Sequence, residues 1–327
     1  MTLRKKLLII RLSSLGDCLL TTPIIRSLKK QYTDLQIDFL TKKNYEDVFK
    51  YNPRLNRLLL YDGNNFQSLR KEIIQNKYDA IVDLHNNLIS NLLTLGSNVK
   101  KYKYRSGVFA KFLFVKFKIN FLKDYKSVPR KYAEVLPDLN LDSEGLEIFI
   151  PENIKSRLEK SRNYIAFAPG ARHFTKRWPP EYFIQLGKSL ISKNFKIILL
   201  GGKDDKAICD IIHDELKNSI NLSGENNLLQ LAADLKSCTV LVSNDSGLMH
   251  LACATKTPVV AIFGSTVKEF GFSPYKNKNI IIENESLKCR PCSQIGKEKC
   301  PKKHFKCMID LTPDIVEKNL NIILHSF

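Results

Sequence analysis

The sequence predicts an α/β protein built from two doubly wound, Rossmann-like domains. Three observations carry that expectation. Short apolar runs rich in β-branched residues alternate with amphipathic stretches, as in a parallel sheet wrapped by helices. The alternation stops at a polar segment, residues 141–163, which contains Pro151, and then begins again. The chain has 327 residues, more than one hydrophobic core usually organises, so two domains of about 150 residues each are expected.

In the first half the alternation runs through residues 6–11, 22–31, 36–40, 45–51, 57–61, 66–76 and 80–84. In the second half 164–168, 180–193, 196–200 and 205–216 repeat it, followed by 228–235, 239–243, 247–254 and 259–263. The expected domains are therefore residues 1–155 and 156–327, with the last helix, 312–327, free to pack back on the first domain. Ligands of such folds bind where strand ends lead into helix N-termini, here in a cleft between the halves.

Hydrophobic content of 43% and charged content of 26% suit a globular chain and exclude a disordered or fibrous class. The 52 basic residues against 33 acidic ones leave a net charge of +19. Such a surface favours a polyanion: nucleic acid, an anionic membrane face or a phosphorylated substrate. A Lys- and Asn-rich source genome would produce the same number. The start has the look of a signal peptide, but Arg11 cuts the apolar run and Asp17 follows, so it reads as a first strand. No apolar run approaches the roughly 18 residues that span a bilayer. A cytoplasmic or membrane-peripheral protein is expected.

Four strand-to-helix junctions carry candidate chemistry. In Asn244-Asp245-Ser246-Gly247 the residue types are those of helix caps, and the helix that follows offers unpaired N–H groups to a phosphate, with His250 in its first turn. An ordinary capped helix would use the same residues. Between the strand at 164–168 and the helix near Pro180, the loop 169–179 bears Arg172, Lys176 and Arg177, cations suited to a departing diphosphate. A solvated basic loop is the alternative. Residues 11–17, Arg-Leu-Ser-Ser-Leu-Gly-Asp, are neither GxGxxG nor a P-loop, and Asp17 opens a helix where a carboxylate can act as a general base or simply favour the helix dipole. Gly201-Gly202-Lys203-Asp204-Asp205 places two acids after a glycine turn, able to accept bonds from ribose hydroxyls or to cap the next helix.

Together these motifs resemble family 9 glycosyltransferases, the heptosyltransferases of the lipopolysaccharide inner core, and most of all their second branch. The resemblance runs from residues 11–17 with Thr22-Pro23, through Asp83-Leu84, the 169–179 loop, Gly201-Gly202 and Leu222-Ser223-Gly224, to 244–250 and a cysteine-rich tail. It implies a GT-B fold, with the first domain meeting the acceptor and the second holding the nucleotide. It further implies an inverting transfer of heptose from ADP-L-glycero-D-manno-heptose to the inner core. Asp17 matches the catalytic base and Lys176 the residue that neutralises the leaving diphosphate. Ala171 and Arg172 stand at donor-contact positions. Asn244, Asp245, Ser246, Gly247 and His250 match the diphosphate and sugar contacts, and Gly201 with Asp204 or Asp205 a nucleotide contact. Lys176, His250 and the helix N-terminus would supply the positive potential, so no metal and no cofactor are expected. Asn86-Asn87 stands where the family often has Gln-Gly. Another activated sugar or acceptor within the family is therefore the alternative.

Residues 98–132 hold eleven Lys or Arg, nine aromatics and one acid, Asp124. Such a mixture suits a phosphorylated lipid head group at the inner membrane face, and Arg105, Lys111 and Arg130 are its candidate contacts to a lipid A-Kdo type acceptor. A non-catalytic binder of anionic lipid or nucleic acid would use the same ingredients, although nucleic acid is not expected here. Cys289, Cys292, Cys300 and Cys307, with His304 among them, have spacings that suggest zinc, loop-fixing free thiols or redox chemistry.

Overall fold

The structure, a computed structural model, describes residues 5–122, 125–159, 163–225 and 227–325. Residues 1–4 at the start, Lys123 and Asp124 of the basic stretch, and 326–327 of the expected last helix lie outside these. In chain order the elements begin β1 (Lys6–Ile10), α1 (Leu15–Leu19), α2 (Thr22–Gln31), β2 (Gln36–Lys42), β3 (Arg57–Tyr61), α3 (Phe66–Gln75), β4 (Ala80–Asp83), α4 (Leu88–Leu93) and β5 (Lys100–Lys103). Then come α5 (Val108–Phe117), α6 (Val128–Ala133), β6 (Tyr164–Ala168), α7 (Pro180–Ser192), β7 (Lys196–Leu199), α8 (Lys206–Glu215) and β8 (Ile220–Asn221). The chain finishes through α9 (Leu228–Lys236), β9 (Val240–Asn244), α10 (Gly247–Ala254), β10 (Val259–Phe263), β11 (Asn279–Glu283), α11 (Lys306–Ile309) and α12 (Pro313–Leu324).

These form two compact units. Residues up to Gly107 with Lys126–Pro151 make the first; Val108–Tyr125 and the chain from Glu152 onward make the second. The first is a five-stranded parallel sheet in the order β3-β2-β1-β4-β5. Its central strands read as continuous apolar runs because both faces are covered, and Leu7, Leu8, Ile9 and Ile10 are all buried. The edge strand β5, Lys-Lys-Tyr-Lys, is short and charged, which discourages pairing with another chain. Residues 45–51 end as a 3₁₀ turn, Lys43–Val48, instead of a longer helix: Pro53 disfavours helical backbone at Asn52, and Phe49 turns inward to stack on Phe39 at 3.9 Å.

One buried cation fastens the returning segment of this unit. Arg26 on α2 is fully buried, and its Nε and Nη2 donate to Asp142 at 2.7 and 2.6 Å. Its Nη1 donates to Glu147 at 2.9 Å and its Nη2 to the Gly145 carbonyl at 2.7 Å. All three guanidinium nitrogens are hydrogen-bonded and two carboxylates balance the charge, the condition under which a buried charge is tolerated.

The second unit has six parallel strands in the order β11-β10-β9-β6-β7-β8. Its core joins Ile165, Phe167, Trp178, Phe183 and Val242. Two placements differ from the sequence reading. The last helix, free in sequence terms to return to the first domain, has Val316, Leu320 and Ile323 in this core, and its Glu317 accepts from Ser189 of α7 at 2.8 Å. Residues 108–122 and Tyr125, assigned by sequence to the first domain, pack with the second unit. Phe114 sits edge-on to Phe270 at 6.2 Å, and Lys118 Nζ donates to the Cys289 and Pro291 carbonyls at 2.9 and 2.6 Å. Among the described residues no helix is long and apolar enough to cross a membrane.

Candidate active site

In a doubly wound sheet the strand order reverses at one point, and the loops leaving the two strands there splay apart to leave room for a ligand. That point lies between β1 and β4 in the first unit, where Ile10 pairs with Asp83, and between β6 and β9 in the second, where Ala168 pairs with Ser243. Asp17 follows β1; the Lys176 loop follows β6; Asp245 follows β9.

In the first unit Asp17 sits in the first turn of α1 with its side chain 17% exposed, and Arg11 Nη2 contacts its Oδ1 at 2.7 Å. The Ser14 N–H and hydroxyl donate to Oδ2 at 3.2 and 2.9 Å, and the Tyr132 hydroxyl donates to Oδ1 at 3.3 Å. Burial alone would raise this carboxyl's pKa; Arg11 and Ser14 outweigh it and hold the group below its ordinary value. Arg11 is itself fixed by the Ser13 and Leu84 carbonyls at 2.7 and 2.5 Å and lies over the Tyr132 ring. Beside it, His85 is driven neutral: burial, reinforced by Arg11, pushes its pKa down to about 4. Asp83 fixes the turn, accepting from the His85 and Asn86 N–H groups and the Ser90 hydroxyl. Arg11 was legible as part of its motif, but its pairing was not. Tyr132 is 115 residues from Asp17 and carries no local signal.

In the second unit Lys176 Nζ meets Asp245 Oδ2 at 2.6 Å, and the Thr266 hydroxyl donates to the same oxygen at 2.7 Å. Burial would raise the Asp245 pKa, but Lys176, then Thr266 and His250, bring it below the ordinary value. His250 is buried. Ser246 and Gly247, partly exposed, open α10. Lys176 is positioned from behind. Thr175 is buried and donates to Ser265 Oγ at 2.9 Å, its N–H reaches the Lys297 carbonyl at 3.0 Å, and its carbonyl accepts from the Ser265 N–H at 3.2 Å. Arg290 braces that loop through the Gly264 and Thr266 carbonyls at 2.6 and 2.9 Å while Nη2 pairs with Glu283 at 2.6 Å. Thr266 and Ser265 were missed in the sequence, and Arg290 stood there only as part of the cysteine-rich tail. Small polar residues directly after β10 were the available signal.

Two expected contacts also act as supports. Asn244 is fully buried, its amide accepting from the Trp178 N–H at 3.0 Å and donating to the Pro169 carbonyl at 2.7 Å, so it staples the two loops. Asp205, not the exposed Asp204, turns toward the site: it accepts from the Gly202 N–H at 3.1 Å and lies so close to Gly170 that a Cβ there would meet its Oδ1 at 1.9 Å. At Gly201 a Cβ would meet the Asp205 Cβ at 2.6 Å. The Ala171 carbonyl accepts from Arg177 Nε at 2.7 Å, and Arg172 is exposed.

The acceptor candidates divide. Arg105 and Arg130 are exposed in the first unit, whereas Lys111 belongs to the second. Lys111 is only 8% exposed, with its ammonium 5.9 and 5.4 Å from the Phe270 and Phe272 ring centres, so its charge faces rings instead of an open phosphate surface. The four tail cysteines are free thiols, and among the described residues no group of three or more potential ligands stands ready to hold a metal. Cys289 Sγ lies 3.8 Å from His304 Nε2, and burial pushes the Cys307 thiol up to about 12.

Two all-parallel doubly wound units, each with a polar cluster at its switch point, are the GT-B architecture of glycosyltransferases. The sequence profile of glycosyltransferase family 9 (heptosyltransferase) matches residues 66–304, and the chain belongs to that family. Over 95% of this chain and 96% of the other, it is 26% identical to lipooligosaccharide heptosyltransferase 2 of Campylobacter jejuni. Its fold is that of the family 9 glycosyltransferase from Veillonella parvula, with a TM-score of 0.82 at 23% identity over 99% and 98% of the two chains. The E. coli ADP-heptose lps heptosyltransferase II superposes with a TM-score of 0.76 at 24% identity, covering 98% and 99%.

Proposed function

We propose that this protein transfers heptose from ADP-L-glycero-D-manno-heptose to the inner core of lipopolysaccharide, with inversion at the anomeric carbon. The observation that carries this reading is the Lys176–Asp245 pair, locked beneath the N-terminus of α10 in a family 9 chain. Relatives named as lipooligosaccharide heptosyltransferases align over nearly its whole length.

In this reading Asp17 takes the proton from the acceptor hydroxyl while that oxygen attacks the anomeric carbon. The bond from that carbon to the diphosphate breaks as the new glycosidic bond forms, and ADP departs. Lys176 and the N–H groups of Ser246 and Gly247 meet the charge that grows on the diphosphate, an arrangement that stabilises a transition state when the donors are already in place. Asn244, Thr175 and Arg290 keep them there. Asp205 lies at the nucleotide end. The acceptor is a phosphorylated, lipid-linked core of the lipid A-Kdo type, met at the inner membrane face through Arg105 and Arg130.

Incubation with ADP-heptose and defined core acceptors tests this directly: the expected product is the acceptor plus one heptose of inverted configuration. If another activated sugar is transferred and heptose is not, the donor is wrong and the glycosyltransferase assignment stands. Asp17→Ala is expected to lower turnover by about 100-fold or more while ADP still protects the protein from thermal unfolding. A purely binding protein would be indifferent to that change.

A further inference from the structure

We propose that the face formed by α5 and the loop after β11 is a docking surface for an anionic lipid membrane. The helix Val-Phe-Ala-Lys-Phe-Leu-Phe-Val-Lys-Phe is apolar on nearly every side, a pattern expected of a buried helix. Phe114 and Lys111 do turn inward to Phe270. Phe109 and Phe112 do not: they are 72% and 42% exposed, and Phe117, Ile119 and Phe121 continue the exposed surface at 56%, 48% and 69%. Ile295, 67% exposed, joins them, since the neighbouring Gln294 Nε2 donates to the Val108 carbonyl at 3.4 Å. Lys118, bonded to the Cys289 and Pro291 carbonyls, ties the segment and the loop into one piece of surface. Large apolar groups concentrated in this way on a water-facing surface mark an interaction site.

Charge selects the occupant. Among the described residues the same segment and loop expose Lys116, Lys288, Lys297, Lys299, Lys302 and Lys303 against two exposed acids, Glu298 and Glu285, and Glu285 is already paired with Lys268 at 2.6 Å. A second copy of the chain would set lysines against lysines, which is costly. An anionic bilayer accepts both parts: phenylalanines enter the boundary between head groups and acyl chains while lysines meet lipid phosphates. The inference deepens the reading above, that the acceptor is lipid-linked, by naming the surface that brings this chain to it.

The test is flotation of the full chain with phosphatidylethanolamine–phosphatidylglycerol vesicles and with phosphatidylcholine vesicles. Wild type should bind the anionic vesicles far better than the neutral ones. F109S/F121S should weaken that binding roughly tenfold or more, and K302Q/K303Q should remove the preference for anionic lipid. F109S/F121S should still transfer sugar to a deacylated, soluble acceptor at the wild-type rate, and lose rate on acceptor embedded in vesicles. If F109S/F121S does not fold, judged by its melting curve, K302Q/K303Q decides alone. Wild-type binding by F109S/F121S, no anionic preference in wild type, or self-association abolished by F109S/F121S without any vesicle binding would each overturn the proposal. Failure of heptose transfer with every acceptor, alongside intact vesicle binding, would sink the functional reading and leave this surface in place.

Discussion

Arg11 and Asp17 form a contact of 2.7 Å in which a base candidate is held ionised by its own neighbour. Its pKa lies below the ordinary value, so the carboxylate is available as a base at any pH above that depressed value. The stability this pairing contributes is present above the unfolded pKa of about 3.9 and is lost as pH falls through the folded one. Arg11→Met leaves burial as the dominant influence, so the Asp17 pKa should rise and the acid limb of the kcat/KM profile should move to higher pH; an unmoved limb would show that Asp17 is not the titrating base. The second pair behaves differently because its carboxylate is deeper, 9% exposed against 17% for Asp17. Lys176→Met strands the buried Asp245 carboxylate and is expected to cost about 3–5 kcal/mol of stability. Lys176→Met with Asp245→Asn should recover most of that in a melting experiment yet still lose about 100-fold or more in transfer. Recovery of transfer along with stability would show that Lys176 serves the fold alone.

At the scale of the element, the 169–179 loop owes its shape to contacts distant in sequence. Asn244 closes it from β9, Ser265 holds Thr175 from beyond β10, and Asp205 presses on Gly170. Gly170→Ala should displace Asp205 or the loop, weaken protection by ADP, and cost roughly 1–3 kcal/mol. Gly170→Ala/Asp205→Ala removes the obstructing atoms and should regain stability, a non-additive pair measurable by a double-mutant cycle. The candidate positions Asp17, Lys176, Asp245 and Gly201 were legible because each follows an apolar strand, where loops of this fold class gather. Asn244 read as a ligand contact because its residue type suits a cap; its amide also binds two backbone groups that no local pattern reveals. Asp204 and Asp205 are adjacent and chemically alike, and only the turn's direction separates them.

For the whole molecule, each unit has a core of its own, with Leu8, Ile10 and Ile81 in one and Ile165, Phe167 and Val242 in the other. Arg26→Met, which leaves Asp142 and Glu147 facing an apolar group, should cost the first unit about 3–5 kcal/mol. Hydrogen exchange should then accelerate in β1, β2 and β4 and stay unchanged in β6, β9 and β10. Uniform acceleration would mean that the two sheets unfold as one.

Alternation of apolar and amphipathic runs is a property of neighbouring residues. It was therefore sufficient for the α/β class, the two parallel sheets, the strand-end positions of the polar clusters and, through their spacing, the family. Packing decided what alternation cannot encode. Residues 108–122 join the second unit because Phe114 and Lys118 find partners at Phe270 and Cys289, and α12 stays there because Val316, Leu320 and Ile323 fit that core. Which oxygen Arg11 holds, and which strand ends lie side by side, depend on where the sheet order reverses. That reversal brings together residues far apart in the chain, by burying surface whose complement no local window contains.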